Sequence, residues 1–228
     1  MNAIRGCIFD LDGVIVDTAR YHFLAWKRLA KELGHDLTED ENERLKGVSR
    51  MQSLQIVLDL ASVALTDEEK AILADKKNRW FVEYVERMTP DEIFPGVLDL
   101  IRELKGEGIR VGLASSSKNA QTVVRLLEIK DEFEAIVDGS MIMNTKPDPE
   151  IFLKTAKQLN VQPHTCVVIE DAEAGVEAAL SAGMKCIGVG SRALLGKADV
   201  VYSTTTEITL STFDELQRTN GHRGVNFK

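Results

Sequence analysis

Nothing in this chain of 228 residues approaches the roughly 18 consecutive apolar residues that would span a bilayer. Its opening stretch, MNAIRGCIFD, carries too short an apolar run for a secretory signal. The expectation is a cytoplasmic protein with no membrane partner. Positive charge is also scarce: 28 Lys and Arg stand against 36 Asp and Glu, a formal net charge of −8. A field of that sign repels polyanions, which excludes general affinity for nucleic acid or anionic lipid and makes any phosphate site a local one. Cysteine is rare and odd in number: Cys7, Cys166 and Cys186 each lie inside an apolar, β-like run, without metal-type spacing. That pattern excludes a disulfide framework and a zinc cluster, and leaves buried, reduced thiols. Internal repeats and low-complexity tracts are absent as well. A monomer is the default expectation.

What is present suffices for a sizeable core, with 44% hydrophobic residues in a length that suits one domain carrying a smaller insert. Apolar runs recur at AIRGCIFD, IRVGLASSS, FEAIVDG, TCVVIED, MKCIGVG and ADVVYS. Short continuous runs of this kind read as strands buried on both faces. Helical patterns lie between them, at Gly96 to Lys105, Ala120 to Leu127, Asp148 to Leu159 and Ala174 to Ala182. The alternation predicts an α/β fold, a doubly wound parallel sheet of Rossmann type with helices on both faces. From about Ala19 to Thr89 the rhythm changes to helical periodicity alone, as in YHFLAWKRLAKEL, MQSLQIVLDLA and DEEKAILADKKNRWFVEYVERM. The chain re-enters the core through TPDEIFPGV, where Pro90 and Pro95 punctuate a linker. The expected organisation is a core of residues 1–17 and 93–228 with an α-helical cap domain of residues 18–92 inserted after the first strand.

Polar residues gather where the strands end. Asp10 and Asp12 close the first one, and in extended chain residues i and i+2 point the same way, so their carboxylates converge unless a cation or a proton relieves the repulsion. Gly13 then allows a sharp turn. VGLASSSKN delivers Ser115, Ser116, Ser117, Lys118 and Asn119; NTKPDP places Lys146 before a helix; CVVIEDAEAG ends in Glu170 and Asp171. On one rim of a doubly wound sheet these supply carboxylates for a hard cation, donors for phosphate oxygens and a point positive charge. In the insert, RLKGVSRMQS adds Gly47, which permits close backbone approach, with Lys46, Ser49, Arg50 and Ser53 able to ring an anion.

FDLDGV, LASSS, TKPDP and IEDAEAG, in this order and spacing, resemble the haloacid dehalogenase-like phosphotransferases over nearly the whole chain. The resemblance implies Asp10 as a nucleophile that forms an aspartyl phosphate and Asp12 as general acid and base. It implies Mg2+ held by the Asp10 carboxylate, the Asp12 main-chain carbonyl and Asp171, with Glu170 at or beside the metal. HFLAWKRLA, LKGVSR, LASSSKN and KKN further resemble the β-phosphoglucomutase branch. That likeness places His22 beside Asp12 and gives Gly47, Val48, Ser49, Arg50, Ser53 and Lys77 to substrate recognition. Ser115, Ser116 and Lys146 would hold the transferring phosphate; Arg50, Ser117, Lys118 and Asn119 would hold a second one. Ser116 departs from the branch, which usually has alanine there.

Two phosphate grips suit a mutase, whose sugar bisphosphate must be anchored by one end while the other reacts, and arginine's planar fork suits the anchor. The implied activity is interconversion of β-glucose 1-phosphate and glucose 6-phosphate, a small-molecule sugar phosphate being the partner. The alternatives are a Mg2+-dependent sugar-phosphate phosphatase, a mutase for another sugar phosphate, and a non-catalytic phosphosugar-binding protein. GVGSRA, Gly188 to Ala193, with Glu207 downstream, has the form of a dinucleotide fingerprint, but too little chain precedes the next apolar run for the helix such a site needs.

Overall fold

A computed structural model describes residues 3–45 and 48–218. Among these residues, six strands form one sheet: β1 (Gly6–Phe9), β2 (Arg110–Ser115), β3 (Ala135–Asp138), β4 (Cys166–Glu170), β5 (Lys185–Val189) and β6 (Val200–Tyr202). Their spatial order is β3-β2-β1-β4-β5-β6, and every neighbouring pair is parallel. Gly6 of β1 pairs with Arg110 on one side and with Cys166 on the other. GCIF in β1 and CVVIE in β4 are buried throughout, as strands covered on both faces must be.

Helices α1 (Ala19–Glu32), α2 (Glu39–Glu43), α3 (Arg50–Leu60) and α4 (Asp67–Val85) follow β1 as an all-helical insert. The core then adds α5 (Val97–Gly106), α6 (Ala120–Leu126), α7 (Glu150–Gln158), α8 (Glu173–Ser181), α9 (Arg192–Leu195) and α10 (Leu210–Arg218). Side chains alternate across the sheet. Cys7 and Phe9 join a cluster with Leu100 of α5, Val124 of α6 and Phe213 of α10, while Ile8 joins Phe152 of α7, Val176 of α8 and Leu195 of α9. The first cluster continues through Val14, Ile15 and Val16 into the insert, where Trp26, Leu29, Leu54, Val57 and Phe81 are buried.

Two chain crossings join insert and core, and they are laced together. Val16 pairs antiparallel with Ile93, the Phe94 N–H donates to the Ile15 carbonyl at 2.8 Å, and Glu92 receives both Arg20 and the Tyr21 hydroxyl. Capping boxes start α3 (Ser49 with Gln52) and α4 (Thr66 with Glu69), satisfying backbone donors that a helix start leaves open.

Sequence periodicity located every strand and most helices among the described residues, but it does not reveal α2, α9 or α10. The EDENE segment of α2 has no apolar face and is held by a capping box from Thr38 to Glu41. α9 has four residues, so no full helix follows GVGSRA and the dinucleotide pattern stays without its structural context. The three cysteines are free and buried. No helix among the described residues is long and apolar enough to cross a membrane. The tail TNGHRGVNFK lies outside the described residues.

Candidate active site

The chain reverses direction across the sheet at β1, with β2 and β3 to one side and β4, β5 and β6 to the other. Such a reversal opens a crevice beyond the carboxyl ends of the strands. Asp10 leaves β1 at that point, and a cavity lies above it. The core contributes Asp10, Asp12, Ser116, Ser117, Lys118, Asn119 and Asp171 to its lining; the insert contributes His22, Trp26, Val48, Ser49, Arg50, Ser53 and Lys77. Residues expected from separate motifs thus share one chamber. Gly47 lies outside the described residues.

Both Asp10 oxygens are engaged. Oδ1 receives the Lys146 ammonium and Oδ2 accepts the Asp12 N–H at 2.9 Å. Lys146 is 1% exposed and also donates to Glu170 Oε1. Burial alone would lower its pKa, but the Asp10 and Glu170 charges hold it above the ordinary lysine value. Burial, and then the charge of Asp10, push the Asp12 pKa up as well, far above the carboxylate range. A raised pKa suits a carboxyl that must both take up and give back a proton.

Three of the residues expected on the phosphate or the metal are held by the protein's own groups. Lys146, expected on the transferring phosphate, is absent from the cavity wall because a buried ammonium needs anionic partners, and it has them in Asp10 and Glu170. Ser115, expected on the same phosphate, is buried, and its Oγ accepts the Ser117 N–H at 3.1 Å, shaping the loop rather than facing the chamber. Glu170, expected at or beside the metal, gives Oε1 to Lys146 and accepts the Ala172 N–H at 3.0 Å with Oε2, so it stands behind the wall.

Asp171 does reach the cavity, packed on Gly13 (φ +77°). A Cβ at Gly13 would lie 2.1 Å from Asp171 Oδ2, so only glycine both makes this turn and leaves the carboxylate its place. Among the described residues no three His, Cys, Asp or Glu side chains form a ready-made metal cage. The expected set asks for less: carboxylates from Asp10 and Asp171 and a main-chain carbonyl from Asp12, all at this cavity. The donors are hard oxygens, and the acids Asp10, Asp12, Glu170 and Asp171 outnumber the Lys146 ammonium among them. Both properties fit Mg2+.

On the insert side, His22 stacks on Phe81 with ring centroids 3.9 Å apart and planes at 18°. Its Nδ1 lies 2.6 Å from Lys77 Nζ, and Lys77, 2% exposed, sits 4.5 Å over the Trp26 ring and 5.0 Å over Phe81. Burial first, then Lys77 and Arg50, push the His22 pKa well down; burial first, then Arg50, do the same to Lys77. His22 is thereby kept neutral. Ser49 caps α3, and Ser53 Oγ donates to the Ser49 and Leu45 carbonyls at 3.2 and 3.3 Å, knitting the helix start to the preceding turn.

Sequence reasoning missed two contributors. Asn78, next to Lys77, accepts from Arg50 Nη2 and from Asn119 Nδ2, each at 2.8 Å. Thr145 lines the cavity and its hydroxyl donates to Gln52 Oε1 at 2.8 Å. The available signal was adjacency, to Lys77 in one case and to Lys146 in the other; which segments face each other across the cleft is not written in either.

A profile of the haloacid dehalogenase-like hydrolase family matches residues 4–183. The chain is 46% identical over 214 residues to a β-phosphoglucomutase of Bacillus subtilis, covering 93% of this chain and 95% of that protein. It is 36% identical over 188 residues to a phosphorylated carbohydrates phosphatase of Thermotoga maritima, covering 81% and 84%. Among solved structures, a β-phosphoglucomutase from Clostridium difficile superposes with a TM-score of 0.89 at 43% identity, covering 93% of this chain and 96% of that one. The profile runs from before β1 to beyond α8, so it takes in every strand end that meets at the cavity, and the chain belongs to the haloacid dehalogenase-like hydrolase family.

Proposed function

We propose that this chain is a β-phosphoglucomutase, interconverting β-glucose 1-phosphate and glucose 6-phosphate through an aspartyl phosphate on Asp10 and β-glucose 1,6-bisphosphate. The observation that carries the reading is that one cavity joins a nucleophile end, Asp10 and Asp12, to an anion-gripping end, Arg50, Lys118 and Asn119. The strong similarity to β-phosphoglucomutases supports it.

With Asp10 phosphorylated, the sugar C6 hydroxyl of β-glucose 1-phosphate attacks the phosphorus while Asp12 accepts its proton. The Asp10 carboxylate leaves and the bisphosphate forms. After the bisphosphate turns end for end, Asp10 attacks the phosphorus at C1, and Asp12 returns the proton to the departing O1 of glucose 6-phosphate. Asp12 suits both directions because its raised pKa, from burial and the adjacent Asp10 charge, suits a carboxyl that takes a proton from one oxygen and returns it to another. Mg2+, held by Asp10, Asp171 and the Asp12 carbonyl, would supply charge neutralisation on the phosphoryl oxygens. Arg50, Lys118 and Asn119 hold the idle phosphate so that the reacting end meets Asp10 in line. The insert covers the chamber and keeps water from the acyl phosphate.

Phosphorus NMR tests the reading. β-Glucose 1-phosphate with a trace of bisphosphate should yield glucose 6-phosphate; free glucose and phosphate without glucose 6-phosphate would overturn it. A phosphatase is the second reading, favoured by the similarity to the phosphorylated carbohydrates phosphatase. Arg50→Ala separates the two, since it should damage a mutase far more than an enzyme that grips one phosphate.

A further inference from the structure

We propose that Asn78 is a positioning residue that sets Arg50 and Asn119 together across the seam between insert and core, and so governs how often the phosphoryl group is lost to water. The inference rests on the mutase reading above. Asn78 lies on α4, in the insert; Arg50 begins α3, also in the insert; Asn119 caps α6, in the core. A single acceptor, Asn78 Oδ1, takes a hydrogen bond from each at 2.8 Å. The guanidinium has donors only, so the Asn78 atom facing it is the oxygen, and the Asn119 atom facing that oxygen is then its amide nitrogen.

Arg50 and Asn119 line the cavity and Asn78 does not. Asn78 therefore acts through the other two. One grip on the idle phosphate thus comes from each side of the seam, and Asn78 fixes their spacing before any ligand arrives. A neutral amide is suited to this work. It orders Arg50 Nη2 without adding charge, while Arg50 Nη1 lies 3.7 Å from Oδ1 of Asp75, an exposed carboxylate outside the cavity lining; a second carboxylate, at position 78, would compete with phosphate for the same cation. A further polar contact across the seam, Thr145 to Gln52 at 2.8 Å, is solvent-exposed and touches neither gripping residue. Loss of the Asn78 bonds would let Arg50 and Asn119 separate, loosening closure over the acyl phosphate while Asp10 and Asp12 keep their own contacts.

The experiment measures glucose 6-phosphate formed and inorganic phosphate released, in parallel, for the wild-type enzyme and for Asn78→Ala and Asn78→Asp. In Asn78→Ala the ratio of phosphate released to glucose 6-phosphate formed should rise about tenfold, the scale of two lost hydrogen bonds. In Asn78→Asp the KM for β-glucose 1-phosphate should rise about tenfold with kcat changing less, because a charge-assisted pair with Arg50 must be broken by the incoming phosphate. A phosphate ratio within about twofold of wild type in Asn78→Ala, with the KM of Asn78→Asp unchanged, would overturn the proposal. If Asn78→Ala unfolds, the near-isosteric Asn78→Asp still decides it through its split of KM from kcat. Wild-type enzyme that forms no glucose 6-phosphate would sink the mutase reading instead, so the two failures are distinct.

Discussion

Replacing Asp10 with asparagine keeps the size and the Asp12 N–H contact but removes the nucleophilic charge and the partner of Lys146. Turnover should fall by at least about 10³-fold, with no hydroxylamine-labile phosphate on the protein. Lys146→Ala is the inverse lesion. It strands Asp10 and Glu170 as buried carboxylates without their cation, a loss of roughly 3–5 kcal/mol, read by urea unfolding. At Gly13 a methyl group would displace Asp171, so Gly13→Ala should weaken Mg2+ binding by about tenfold or more in calorimetry while the far-UV spectrum stays native. His22 gives a pH dependence. Its folded pKa lies well below the unfolded value of 6.5, so below that pH the unfolded chain takes up a proton the native one refuses. Stability should fall on acidification from pH 6.5, by up to about 1.4 kcal/mol per unit for this group, and His22→Gln should flatten that slope. The acids at the strand ends were legible because the apolar runs mark where the strands stop; β1 ends at Phe9, so Asp10 and Asp12 lie in the loop just beyond it, not on the strand whose alternation was expected to orient them. Burial was not: nothing in TKPDP says that Lys146 is spent on two carboxylates, or that Ser115 turns into its own loop.

At the scale of elements, Gln52 has two duties. Its Oε1 accepts the Ser49 N–H at 2.9 Å as part of the capping box of α3, and also accepts the Thr145 hydroxyl of the core. Gln52→Ala should cost about 1 kcal/mol in thermal unfolding through the helix start, and raise KM as well. Thr66→Ala removes a similar box from α4 without touching the seam, so its loss should appear in stability and leave KM alone. α1, α3 and α4 were readable from helical spacing because each buries one face, as Trp26, Leu29, Leu54, Val57 and Phe81 do. α2 was not, since a helix made by its cap and the Glu41 carboxylate leaves no apolar period to detect. LSTFDELQR in α10 buries Phe213 and Leu216, too few apolar positions to separate a short helix from a polar tail in sequence.

In the whole molecule, the alternation of runs and helices was enough to place the catalytic rim, because a doubly wound sheet must put its strand ends together. The seam was not legible, since it depends on how α4 lies over the loop after β2. The hydrophobic cluster that passes from the sheet through Val14, Ile15 and Val16 to the insert has its own consequence: the two parts should unfold as one. Near- and far-UV circular dichroism should give a single coincident transition, and the isolated segment 18–92 should lack most of its helix signal. β1 adds an order of events. The strand that leads into Asp10 is translated before the other five described strands, yet its neighbours begin at Arg110 and Cys166. On the ribosome its apolar GCIF waits, unpaired on both edges, until β2 emerges near the middle of the chain and, on its other edge, until β4 does, so docking of β4 against β1 should be a late step of folding.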